Sequence, residues 1–197
     1  MDKLIHDALD LMRWRVREAA HYQYPTWQLV VTLLLLGMIA AAGADSVGGD
    51  IAGKLLFFTV FGAMETLLMA QFMQWWLRLA KAPVETPLFS LLLVAGLVQV
   101  LTPLTSWLPT DVAEVATIAI AFYGVTVMLH ALVAVSGASR MRVLGGILLF
   151  SPLAAMLMVF AFSTGSNLGL IELPSETQVS NSQPAQAAPG GEHDSLY

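Results

Sequence analysis

Five apolar runs dominate the chain. Residues 28–47, 54–77, 87–107, 112–136 and 142–165 are rich in Leu, Val, Ala, Met and Phe and carry few charges. Each meets the length of about 20 residues that a helix needs to cross about 30 Å of hydrocarbon. The pattern predicts five transmembrane helices. Their breaks are marked by turn residues: Lys81, Pro83, Glu85 and Pro87 between the second and third, Pro109 and Thr110 before the fourth, and Gly137 to Arg142 in a tight last hairpin. Asp111, with Glu114 three residues on, is expected to cap the fourth helix. Asp45 and the small residues around it fray the end of the first run.

Residues 2–20 have a different periodicity. Leu4, Ile5, Ala8, Leu9, Met12, Val16 and Ala19 fall in one helical arc, while His6, Asp10, Arg13 and Arg17 fall outside it and Arg15 intrudes. This predicts an amphipathic helix on the membrane surface, presenting Arg13, Trp14, Arg15 and Arg17, with Tyr22, Tyr24 and Trp27 in the interfacial aromatic belt. Such a helix either senses lipid and binds a partner or merely anchors the first span. At the other end, residues 172–197 hold no Lys or Arg and are rich in Ser, Gln, Pro, Ala and Gly, a composition that cannot bury enough apolar surface to fold alone. The expected fold is all-α and polytopic: an amphipathic segment over 1–25, a five-helix bundle over 26–166 and a flexible tail over 167–197.

Composition agrees with this layout. Hydrophobic residues make up 57% of the chain, charged residues 12%, and the mean hydropathy is +0.71, outside the range of an ordinary soluble domain. Residues 1–25 lack the apolar core of a secretory signal. The charge is lopsided in a way that topology explains. Lys3, Arg13, Arg15, Arg17, Arg78, Lys81, Arg140 and Arg142 fall in segments on one side of the five spans, and only Lys54, of nine basic residues, falls on the other. Basic loops stay in the cytoplasm, so the expectation is a bacterial inner-membrane protein with its N-terminus inside and its C-terminus in the periplasm.

One acid interrupts the second run. Glu65 lies midway along it, where leaving a charge in hydrocarbon costs several kcal/mol. Gly62, Thr66 and Ala70 lie on or beside its face, a small-residue pattern that lets helices approach, so Glu65 is expected to point into the bundle. By depth alone, Gln99, Tyr123 and Ser151 lie near its level, with His130 deeper on the face of Tyr123 and Thr126. Together these predict a buried polar layer of Glu65, Gln99, Tyr123, His130 and Ser151. Three readings stay open: a structural layer in which a neutral Glu65 bonds Gln99 or Tyr123, a site for a proton or small ligand, and contact with another subunit's helix.

Several chemistries find no support in the residues. The chain has no Cys, hence no thiolate nucleophile and no Cys-based metal site. His6, His21, His130 and His193 are isolated, with no helical His pair, so no metal is expected. No nucleophile motif or phosphate-binding loop is present, and the basic residues are too scattered for nucleic acid. No enzyme and no cofactor are expected.

The segments "LLMAQFMQWWLRLAKA", "VLTPLTSWLP" and "AFYGVTVMLHALVAVSGASRMRVLGGILL" resemble the Yip family of five-span, Ypt/Rab-interacting membrane proteins, especially its bacterial members. The likeness covers roughly residues 28–165. The acidic cytoplasmic motif of the trafficking members is missing before the first span. What the resemblance implies is a membrane scaffold or adaptor without catalysis, and it transfers no functional residue. The function expected is an adaptor or accessory subunit whose partners are membrane lipid and other membrane-protein subunits. The alternative is a carrier of a small solute or of protons using the layer around Glu65.

Overall fold

The computed structural model describes residues 2–44, 47–79 and 86–172. Residues 80–85, with the expected break at Lys81, Pro83 and Glu85, Asp45 and residues 173–197 of the expected tail lie outside them, as does the side chain of Ala19. Among the described residues six α-helices follow one another: α1 (Asp2–Met12), α2 (Thr26–Gly43), α3 (Ile51–Leu79), α4 (Phe89–Gly96), α5 (Thr110–Ser136) and α6 (Arg140–Asn167). Among the described residues there is no strand beyond an isolated bridge. Five membrane-length helices are present: α2, α3, α4 with its continuation, α5 and α6. The protein therefore has the architecture of a multi-pass membrane protein, and the five observed helices match the five apolar runs to within a few residues.

Three local structures depart from the expected ones. The surface helix stops at Met12, not near residue 20, because Trp14 turns into the left-handed region at φ 64°. The amide of Trp14 donates to Leu11 and that of Arg15 to Asp10, at 3.0 and 2.8 Å, the pairing of a Schellman cap. Arg13, Trp14, Arg15 and Arg17 thus lie beyond the helix, and Arg15 never enters its apolar arc. The third span is the second departure: after Gly96 it narrows to a 3₁₀ helix over Leu97–Trp107. Pro103 lacks an amide and disfavours the α conformation at Thr102, and the hydroxyls of Thr105 and Ser106 donate to carbonyls three residues back. Third, Pro109 is the N-cap of α5 and Asp111 lies in its first turn without a capping bond. The hairpin after α5 is as tight as expected, with Gly137 in the left-handed region and its amide on Val133 at 2.9 Å.

Two cores of unequal size hold the helices. The larger joins Met69, Ala70, Met73 and Leu77 of α3, Leu91, Leu92, Val94, Leu97 and Val98 of the third span, Val127, Ala131 and Leu132 of α5, and Val143 and Phe150 of α6. α4 is its axis: every residue from Leu91 to Ala95 is buried, so this helix is wrapped by neighbours on all sides. α1 packs on α4 and α5 through Leu4, Ala8 and Leu11, while Ile5 and Leu9 stay exposed. The smaller core, at the opposite end, is Val47, Phe57, Ala161 and Ile171. There Gly48 and Glu172 pair as a bridge at 2.8 and 3.1 Å, so residues 168–172, expected in the tail, instead fold back onto the loop before α3. Asp50 accepts from the amide of Gly53 at 3.1 Å and caps α3 there.

Candidate functional site

On α3 no residue between Phe57 and Met69 is buried. Glu65, at the middle of the 29-residue helix, falls in this gap between the two cores. A partly open cavity of about 240 Å³ lies beside it, bounded by α2, α3 and the third span and lined by Gly37, Phe58, Phe61, Gly62, Thr66 and Gln99, with Leu side chains completing the walls. Phe58, Phe61, Gly62 and Glu65 share one face of α3 by their spacing. No hydrogen bond reaches the Glu65 carboxyl from any described residue. Gly62 was expected to mark a close helix approach, yet nothing would lie within 4 Å of a Cβ there. The close approach belongs to Gly37, where a Cβ would sit 2.8 Å from the Cα of Thr59.

The polar layer expected from depth does not form. Gln99 is exposed overall but lines the cavity with Glu65. Tyr123 turns the other way and donates to the carbonyl of Met12. His130 follows it, with Nε2 3.3 Å from the carbonyl of Trp14 and its ring edge-to-face on the Trp14 indole at 5.0 Å. Ser151 is exposed on α6. Equal depth placed these side chains at similar heights, but rotation about each helix axis sends them to different neighbours. Tyr123 and His130 hold the end of α1, and the left-handed Trp14 is kept in place by that pair of contacts.

A second polar cluster was missed in the sequence. Asp7 is 2% exposed and accepts from the Tyr24 hydroxyl at 2.7 Å and from His21 Nε2 at 3.0 Å. Lys3 closes it, donating to the carbonyl of His21 and lying over the Tyr24 ring. Burial, and then the bond to Asp7, push the Tyr24 hydroxyl well above its ordinary pKa; burial raises Tyr22 likewise. A legible signal existed: Asp7 sits between Leu4 and Leu11 on the apolar face, where an acid needs partners. This cluster fastens α1 to the segment entering α2, so its work is structural.

Among the described residues no group of three His, Asp or Glu could hold a metal ion. Comparison with protein-family models, with curated proteins and with solved structures finds no match. The arrangement at Glu65 must therefore speak for itself: one carboxyl with no hydrogen-bond partner among the described residues, at mid-helix, beside a small cavity lined by two Phe, Thr66, Gln99 and apolar side chains.

Proposed function

We propose that this protein is a non-catalytic inner-membrane protein that binds and carries a small solute at the Glu65 cavity, with its N-terminus in the cytoplasm and its C-terminus in the periplasm. One observation carries the reading: no described residue hydrogen-bonds the Glu65 carboxyl, and a cavity lies beside it. An acid kept at such a depth without a structural bond is expensive unless it serves a site. The orientation is supported by the eight basic residues gathered on one side.

The adaptor is the second reading, favoured by the apolar Ile5 and Leu9 left exposed on α1. It is weakened by the remainder of α1, whose inner face is already committed to α4 and α5. Uptake of radiolabelled amines, amino acids and sugars into liposomes holding the purified protein separates the two. The carrier reading expects uptake above empty liposomes that Gly62→Leu abolishes, since that side chain grows into the cavity and not into a neighbour. No uptake of any class, together with a stoichiometric companion purified from native membranes, would install the adaptor reading instead.

A further inference from the structure

We propose that the ligand of the Glu65 cavity is a small monovalent organic cation of alkylammonium type. This rests on the reading of the cavity as a solute site and adds the class of solute. Charge comes first. Among the described residues Glu65 is the only ionisable one lining the cavity, so an anion would meet an acid and no base among them. A cation instead forms a neutral pair with the carboxylate, which an apolar setting tolerates far better than either charge alone.

The donor set then excludes metals. Ca²⁺ takes six to eight oxygen ligands and Mg²⁺ a near-ideal octahedron. The cavity supplies three polar side chains, Glu65, Thr66 and Gln99, and the backbone carbonyls of helices are engaged in their own bonds. A compact, strongly hydrated ion would also lose its water to walls made of Leu33, Leu36, Leu92 and Leu93. Alkylammonium groups avoid this loss, because their methyl groups suit the Leu side chains.

Aromatic placement points the same way. Phe58 and Phe61 lie within two turns of Glu65 on one face of α3 and both line the cavity, while Phe61 also stacks on Phe57 and Phe58 meets Phe57 and Phe162 edge to face. Ring faces attract ammonium groups within about 6 Å, and the attraction grows when water is excluded. Size sets the limit. At about 30 Å³ per water, 240 Å³ is the room of about eight waters, enough for a small solute such as a trimethylammonium ion and not for a nucleotide.

Calorimetric titration of the full chain in phospholipid nanodiscs tests this with two probes of similar shape, trimethylammonium chloride and the neutral tert-butanol. The expected result is that trimethylammonium binds the wild type, that Glu65→Gln weakens it about tenfold to a hundredfold, and that Phe61→Leu weakens it about threefold. tert-Butanol should bind weakly and equally to wild type and Glu65→Gln. Melting temperatures of both variants, expected to lie close to wild type, establish that the fold survives. If tert-butanol bound as tightly as trimethylammonium, the cation class would be wrong and the cavity would still be a solute site. If neither probe bound any of the three proteins, and liposome uptake was also absent for every solute class, the class and the site would fall together.

Discussion

The half of the bundle that carries α1 and the half that ends at the Gly48–Glu172 bridge are built differently, and α5 crosses both. Its second half buries Val127, Ala131 and Leu132 against α4 and its neighbours, whereas its first half buries nothing and leaves Val112, Val115, Ile118 and Phe122 exposed. In water such a face would be a liability. Lipid tails are as apolar as Leu, so exposed aliphatic side chains carry no such penalty in a membrane, and only close packing or polar bonds give helices a reason to meet. The α1 half has those reasons, and the far half has few beyond its small terminal core. Glu65 lies at the seam, where one core has ended and the other has not begun, and the cavity is the space the mismatch leaves.

The largest effect expected is at glycine. Gly146 faces Trp76 so closely that a Cβ would lie 2.6 Å from the ring, and the same indole donates to the carbonyl of Arg142 at 2.9 Å. Gly146→Leu should abolish recovery of monodisperse protein, since overpacking at a rigid crossing costs about 3 kcal/mol or more. Gly62→Leu, at the seam, should elute and melt like wild type. Equal behaviour of the two variants in size-exclusion chromatography would mean that the two halves are packed alike.

Truncations along α5 sharpen it. Leu132 is fully buried and Ile118 is 53% exposed. Leu132→Ala should destabilise by about 2 kcal/mol, the packing part of such a loss, because lipid removes most of the transfer part. Ile118→Ala should stay within about 0.5 kcal/mol. Thermal or denaturant unfolding in mixed micelles measures both.

The α1 half also depends on its polar fastening. Asp7→Ala leaves Tyr24 and His21 without their acceptor, a loss of about 1–3 kcal/mol that should appear as faster hydrogen exchange over residues 2–24 and no change in the far half. The smallest effect concerns pH. Tyr24 and Tyr22 have folded pKa values raised above that of the unfolded chain, near 10. A raised pKa gives stability that is complete below pH 10 and is lost as pH rises toward the folded value. Melting temperature should therefore drop above about pH 10, and less steeply in Tyr24→Phe, which loses one of the two titrating groups.

Much of this fold is legible in the residues, because a membrane span announces itself by length and apolarity. The runs that became α2 to α6, the break at Pro109 and the Gly137 turn are all of this kind. Rotation is not so legible. Depth counting placed Tyr123 and Ser151 beside Glu65, but the lipid-facing and protein-facing sides of α5 and α6 are equally apolar, and no pattern of polarity says which way either residue turns. The end of α1 was hidden for another reason: a left-handed cap is normally written as Gly, and here it is Trp14, held by a histidine more than 100 residues away. Pro103 carried a signal of the departure from the α-helix, but the apolar run over 87–107 reads as one uninterrupted span. At Glu65 the acid itself was the visible signal; the cavity depends on Gly37, Gly62 and Gly96 coming from separate helices.

The central claim is that the space beside Glu65 is reached by solute while its neighbours above and below are not. The chain contains no Cys, so Glu65→Cys creates a lone thiol in the cavity. Reaction with 2-aminoethyl methanethiosulfonate, added to the water phase of vesicles holding the protein, reads its accessibility, with Leu132→Cys and Ile118→Cys as controls in the core and on the lipid-facing side. Modification is expected at position 65 and none at the two controls, with Gly62→Leu suppressing it. A thiol at 65 that stays silent in the folded protein, yet reacts fully after unfolding, would contradict the claim.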